Sequence, residues 1–346
     1  MKHQTTRYGE IPFYKIGTFG NTADAFISKK LFLEYKTKYS FPKKGDILIS
    51  ASGTIGRAVI YDGKPAYFQD SNIVWIDNDE TLVKNDFLFY AYSNVKWNTE
   101  YTTILRLYND NFRNTLIPLP PLNEQIAIAN ILSALDRYLC ALDALILKKE
   151  SVKKSLSFEL LSQRKRLKGF NQAWQRVRFG DIANYLTSNL SVEQITQQGE
   201  IKVYDVNNLI GYTDTTFISD KPYISIVKDG SVGRVRILPP KTNILSTMGA
   251  LITNHKTTTE FLFYLLSNFD FKNFISGSII PHIYFKDYKE KTIFLPPLNE
   301  QNAIANILSA LDNEIISLKN KKRQFENIKK ALNHDLMSAK IRVLEK

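Results

Sequence analysis

From Asn123 to Lys168 the apolar residues Leu132, Leu135, Leu139, Leu142 and Ile146 recur in alternating steps of three and four. Leu308, Leu311, Ile315 and Leu318 do the same later in the chain, and Phe325, Leu332 and Leu336 extend that stripe. This spacing predicts two long helices with coiled-coil seams. Lys149 and Lys322 interrupt the seams, which points to pairing with another long helix in a mixed core. With no Pro or Gly to stop it, the first helix is expected to run through Lys168, about 46 residues or roughly 70 Å. Two such helices pack most economically antiparallel. Each opens on Pro-Pro-Leu-Asn-Glu, where the prolines end a strand, Asn123 or Asn299 is placed to cap, and Glu124 or Glu300 suits the positive helix end.

Elsewhere the period changes to that of strands. Residues 45–61 (GDILISASGTIGRAVIY) and 221–238 (KPYISIVKDGSVGRVRIL) are rich in β-branched residues and broken by Gly-x-x-Gly, the mark of a tight turn between strands rather than a phosphate cradle. Asp86-Phe87-Leu88-Phe89-Tyr90 matches Glu260-Phe261-Leu262-Phe263-Tyr264, and both predict a short core helix.

These correspondences belong to a longer internal repeat. Residues 119–136 read LPPLNEQIAIANILSALD and residues 295–312 read LPPLNEQNAIANILSALD, differing only at Ile126 and Asn302. A fixed-period repeat marks one structural unit used twice. The segments ahead of each copy share only scattered strings. The expected fold is therefore α/β (mixed α+β) with a pseudo-two-fold internal repeat: a domain at 1–118, a long helix region at 119–172, a second domain at 173–294 and a second helix region at 295–346. Like surfaces suit like partners, and unlike surfaces suit different ligands. One departure stands out: Gly199-Glu200-Ile201 matches Gly9-Glu10-Ile11, yet Trp174–Gln198 precede the former where only Met1–Tyr8 precede the latter. The first domain thus lacks a counterpart of Trp174–Ala183, and lower stability is expected there.

Charge then narrows the ligand. The net charge of +12, spread along the chain and densest on the helical segments, suits an anionic partner, most simply nucleic acid. No apolar run approaches a membrane span and the polar start lacks a signal-peptide apolar region, so a cytoplasmic protein with no membrane partner is expected. The single Cys140 excludes an internal disulfide and falls in the apolar helical pattern, where a packed thiol is expected.

Catalytic motifs are missing. Both Pro-Pro pairs of the repeat and Pro239-Pro240 follow Leu, not the Asp or Asn of an adenine methyltransferase, and there is no Gly-x-x-x-x-Gly-Lys-Ser/Thr loop for ATP. Glu34-Tyr35-Lys36 and Asp287-Tyr288-Lys289 have a nuclease-like spacing but lie at different places in the two copies. His3, His255, His282 and His334 are scattered, so no metal site is expected. A stand-alone DNA nuclease or methyltransferase, and a helical scaffold without a nucleic-acid role, are the alternatives; the second leaves two divergent β-rich domains unexplained.

Two divergent α/β domains, each closed by a Pro-Pro-Leu-Asn-Glu-Gln helix opening, resemble the specificity subunit of type I restriction-modification systems along nearly the whole chain. The resemblance implies two target recognition domains, each reading one half of a split double-stranded DNA sequence, separated by two long antiparallel coiled-coil helices that set the gap. It implies a subunit that is not catalytic by itself. It also implies two adenine methyltransferase subunits docked on the near-identical helix regions, through Leu122, Asn123, Glu124 and Gln125 and through Leu298, Asn299, Glu300 and Gln301, with a restriction and translocase subunit completing the complex. No cofactor is expected on this chain; S-adenosylmethionine, ATP and Mg are expected in the partner subunits.

Base readout needs Arg, Lys, Asn or Gln on loops, with further cations on phosphates. Aligned on the repeat, residues 101–112 (YTTILRLYNDNF) face 277–288 (GSIIPHIYFKDY), which sets Arg106 opposite His282 and Asp110 opposite Lys286. The candidate DNA contacts are Arg106 and Arg113 in the first domain and Asn254, His255, Lys256, His282 and Lys286 in the second, with Arg57, Lys64, Arg234 and Arg236 flanking the glycine turns to hold phosphates.

Overall fold

A computed structural model describes residues 4–68, 72–97 and 106–344. The chain groups into two compact units, Met1–Asp143 with Asn320–Lys346, and Ala144–Lys319. Each unit takes one globular domain together with half of each long helix.

In the first unit, strands β1 (Ile11–Phe13) and β2 (Ala25–Ile27) pair antiparallel beside helix α1 (Lys29–Lys38). Ser28 caps α1 by accepting from the Leu31 amide at 3.2 Å. Strands β3 (Ile47–Ser50), β4 (Ala58–Ile60) and β5 (Ile73–Ile76) form an antiparallel sheet with β3 central, followed by α2 (Asn85–Tyr92) and α3 (Asn109–Arg113). Every residue of β3 is buried because both sheet faces are covered. Ile47 and Ile49 pack on Leu88 and Tyr92 of α2, while Leu48 points to Phe19, Phe68 and Ile73, the two-residue alternation of a central strand. The expected core helix at residues 86–90 is α2.

The second unit repeats this plan with additions. After helix α4 (Leu122–Leu161) come β6 (Gln175–Arg178), β7 (Ala183–Thr187), β8 (Ile201–Tyr204), β9 (Leu209–Thr213), β10 (Tyr223–Val227), β11 (Val235–Leu238), β12 (Thr242–Ile244) and β13 (Met248–Thr253). Helices α5 (Thr259–Ser267) and α6 (Phe285–Tyr288), strand β14 (Thr292–Leu295) and helix α7 (Leu298–Met337) complete the chain. Strand β10 plays the part of β3: Ile224 and Ile226 face Phe261 and Leu262 of α5, and Tyr223 and Val227 face Ile244 and Met248. Here, though, the sheet has four strands in the order β11-β10-β13-β7, and β6 pairs with β14. Both β6 and β7 fall within residues 174–198, ahead of Gly199-Glu200-Ile201.

Within each unit the helix halves run antiparallel, as expected. In the first, Lys329 meets Asp136 at 2.5 Å and Lys322 meets Asp143 at 2.7 Å, so rising numbers on α4 meet falling numbers on α7. In the second, Lys153 meets Asp312 at 2.5 Å and Lys149 meets Glu314 at 2.8 Å. The seam lysines 149 and 322 are thus half-buried ion-pair members, which is how a mixed seam accommodates them. Leu132, Leu142, Ile146, Leu308, Ile315 and Leu336 are buried.

Three expectations change. Helix α4 stops at Leu161 rather than Lys168, and Gln163 (φ 60°) turns the chain left-handed; Ala339 (φ 54°) does the same beyond α7. The asparagines do not cap. Asn123 and Asn299 already lie inside their helices, each accepting only from the next amide, and the carbonyls of Pro121 and Pro297 take the first amides instead. Cys140 is exposed: it follows Leu139 by one residue, which turns it about 100° off the seam.

Candidate nucleic-acid interface and helix clamps

The Gly-x-x-Gly segments join β3 to β4 and β10 to β11 as tight turns. Gly56 (φ 78°) and Gly233 (φ 80°) are left-handed, and an added Cβ would stand 2.2 Å from Trp97 and 2.6 Å from Phe271. A side chain fails there on both counts. Each turn is strapped by the loop that precedes the small late helix, through the same bridge in both units. In the first, Ser52 pairs with Arg106 and the Leu107 amide donates to the Ala51 carbonyl at 2.8 Å. In the second, Asp229 pairs with His282 and the Ile283 amide donates to the Lys228 carbonyl at 2.9 Å. The alignment that set Arg106 opposite His282 is therefore a spatial equivalence; residues 101–105 of that loop lie outside the described residues.

Around the second turn, His282 Nδ1 lies 2.7 Å from Asp229 Oδ1, the ring stacks near Tyr284 (17° between planes), and Lys286 lies 5.3 Å from the Tyr284 ring. Arg234 donates to the Asn207 side chain at 2.7 Å, and Arg236 donates to the Asn207 carbonyl at 2.9 Å while sitting over Tyr204. Both arginines bind the Asp205–Asn208 turn to this end of the sheet. In the first unit Arg106 is exposed, and Arg57, beside the turn, donates to the Phe19 carbonyl at 2.9 Å. Arg113 is exposed on α3 and pairs loosely with Asp110 at 3.5 Å.

Four candidate contacts fall elsewhere. Lys64 stands past the opposite end of β4 from the glycine turn, paired with Asp62 at 3.3 Å. Asn254, His255 and Lys256 follow the Thr253 end of β13, whereas the turn sits at the Met248 end, as the pairing Val227↔Met248 fixes. Asn254 holds a turn there, donating to the Asp181 carbonyl at 3.0 Å and accepting from the Lys256 amide at 3.0 Å. Proximity in sequence carried no register. Conversely, Asp229, Lys228, Tyr284 and Asn207 escaped the sequence reading, although Asp229 immediately precedes Gly230.

The helix openings also rearrange the expected docking set. Glu124, Gln125, Glu300 and Gln301 are buried at 2%, 1%, 0% and 0% exposure and bound within the chain. Gln125 accepts from the Lys84 amide and donates to the Leu82 and Pro120 carbonyls; Gln301 accepts from the Thr258 amide and donates to the Lys256 and Pro296 carbonyls. Glu124 accepts a fork from Arg342 (2.7 and 2.6 Å), and Glu300 one from Arg166 (3.2 and 2.6 Å) plus the Trp174 indole N–H at 2.9 Å. Each helix start is clamped by the arginine beyond the end of the other helix, so these four side chains face inward rather than forming an exposed surface. Leu122, Asn123, Leu298 and Asn299 remain exposed. Asp136 and Asp312, which close the repeat, each accept from a tyrosine, Tyr90 and Tyr264, at 2.8 Å; burial, then the aspartate, raises both phenols well above their ordinary range, so they stay donors.

Hydrogen bonds from Arg342 hold the Glu124 carboxyl below its ordinary value of 4.5, with burial opposing them. A depressed folded value contributes stability above the unfolded value and loses it as pH falls through the folded one. Melting midpoints of the wild type should therefore fall below about pH 4.5 more steeply than those of Glu124→Gln; parallel pH profiles would refute the clamp's ionic character.

The two units thus carry like scaffolds with unlike polar edges. Among the described residues no cluster of His, Cys, Asp and Glu is arranged to hold a metal, and no helix is long and apolar enough to cross a membrane. The family model for the type I restriction modification DNA specificity domain matches residues 1–150 and 171–327, and the chain belongs to that family. A Haemophilus influenzae protein described as a type I restriction enzyme specificity subunit is 65% identical over 133 residues, 38% of this chain and 34% of that protein. The MjaVIII type I restriction enzyme specificity subunit of Methanocaldococcus jannaschii is 24% identical across 92% of this chain and 84% of its own. The solved type I restriction-modification S subunit of M. genitalium shares the fold, with TM-score 0.65 and 20% identity over 97% of this chain and 91% of that one. The chain is thus of the specificity class, the component named for DNA sequence recognition rather than for a catalytic step.

Proposed function

We propose that each unit reads one half of a split double-stranded DNA target with the edge where the loop bridges the glycine turn. The observation that carries this is the identical bridge holding Ser52 and Arg106 in one unit and Asp229 and His282 in the other: one scaffold, two chemistries. Arg106, His282 and Lys286 reach base edges, while Arg57, Arg113, Arg234 and Arg236 supply positive charge for phosphates. Two methyltransferase subunits dock on the near-identical helix openings, through exposed Leu122 and Asn123 and through Leu298 and Asn299, and the restriction and translocase subunit joins through that complex in the cytoplasm. S-adenosylmethionine, ATP and Mg are held by those partners, and this chain supplies sequence choice.

Sequence selection from random duplexes tests the assignment. Arg106→Ala should relax one position of one half-site, by about fivefold or more in preference, and leave the other half-site intact. Weakening that is uniform across sequences would make Arg106 a phosphate contact; no change in binding would remove this edge from the interface.

A further inference from the structure

The two bridged pairs differ in hydrogen-bonding polarity. Arg106 carries donors only. In the second unit the Asp229 carboxylate, 2.7 Å from His282 Nδ1, can only accept. Nδ1 therefore bears the hydrogen, and in the neutral form of the ring Nε2 is left as an acceptor. The ring is held in place from several sides. The His282 amide donates to the Ser276 carbonyl at 2.7 Å and the Ser276 amide returns a bond at 2.9 Å, Tyr284 stacks alongside, and Lys228 steadies Asp229 from 3.7 Å. About a third of the His282 side chain remains exposed, enough to meet a ligand at its free nitrogen.

In the major groove guanine offers acceptors at O6 and N7, matched by arginine, whereas only adenine N6 and cytosine N4 offer amino donors. On the reading that these edges face DNA, we propose that Asp229 is a positioning residue that makes His282 an acceptor for an exocyclic amino group. The second half-site then carries adenine or cytosine at the position equivalent to the one where the first half-site carries a guanine, read by Arg106. The unlike half-sites of one chain would follow from one exchange on a shared bridge, a neutral hydroxyl and a cation replaced by a carboxylate and an imidazole.

The experiment is selection of bound sequences from random duplexes by the full chain, as wild type, His282→Ala, Asp229→Ala and the double substitution Asp229→Ser with His282→Arg. The expected wild-type result is adenine or cytosine preferred at least about fivefold at one position of the second half-site. Both single variants should lose that preference, and the double variant should turn it toward guanine. An unchanged first half-site in every variant shows that the chain is intact and that the effect is local. If His282→Ala abolishes the preference and Asp229→Ala retains it, the positioning role is wrong while the reading edge stands. If the double variant keeps the wild-type base preference at the position read by His282, the acceptor assignment is wrong. If His282→Ala leaves the second half-site unaltered, the placement of DNA on this edge is itself overturned.

Discussion

Glu300→Ala is expected to destabilise the second unit by about 3–5 kcal/mol, lowering its melting midpoint by roughly 10 °C. Glu300 is fully buried and accepts from Arg166 and from the Trp174 indole. Its removal leaves an indole N–H inside the protein without an acceptor and a guanidinium, about 30% exposed, without its counter-charge. The second loss dominates, because a partly buried cation has only partial access to water. Glu124→Ala removes the equivalent carboxylate but should cost clearly less. Arg342 is about half exposed and rehydrates, and among the described residues no indole N–H binds Glu124 and would be stranded. Glu300→Gln, which keeps an acceptor for the indole, should fall between. Calorimetry on the three variants of the intact chain checks the order, and equal shifts for Glu300→Ala and Glu124→Ala would show that the clamp geometry does not govern stability.

That contrast also shows what the sequence could reveal. The seam leucines, the glycine turns, the core helices α2 and α5 and the equivalence of Arg106 with His282 all follow from periodicity and alignment, since burial on a helix or strand is written in residues a few positions apart. The inward turn of Glu124, Gln125, Glu300 and Gln301 is not local. A charged residue at a helix start reads as a dipole partner on the surface, and only Arg342 or Arg166, far along the chain, converts it into a buried clamp. The same limit hides the separation of Asn254, His255 and Lys256 from the glycine turn: which end of β13 lies beside that turn depends on the register with β10, and a single sequence does not contain it. Cys140, expected to pack, is exposed for a simpler reason, one step in helical phase from Leu139. What makes the chain a specificity subunit is nevertheless legible twice over, as near-identical helix openings in the sequence and as matched clamps in the structure. The bridged edges carry different residues in the two units, Ser52 and Arg106 in one and Asp229 and His282 in the other.

The first unit should open before the second. In the second, β7 adds a fourth strand along β13 from Ala183 to Thr187, and β6 pairs along β14 from Gln175 to Arg178. Their segment also carries Trp174, Phe179 and Ile182 into the core, at 9%, 3% and 0% exposure. Burying Trp and Phe side chains removes on the order of 150–250 Å² each from water, worth about 4–6 kcal/mol apiece as an upper bound at roughly 25 cal/mol per Å². Ordering the extra backbone offsets much of this, so a net difference of about 2–4 kcal/mol in opening free energy is reasonable. Separate fragments cut at residue 170 would be a poor test, because each compact unit draws half of both helices and the cut parts the Glu124–Arg342 and Lys329–Asp136 pairs from one another's supporting chain. Hydrogen exchange on the intact protein avoids this. Amides of β3 are expected to exchange at least about thirtyfold faster than those of β10, the equivalent central strand, under conditions where exchange reports equilibrium opening. Equal protection of the two strands would mean that β6 and β7 add nothing to the opening free energy of the second unit.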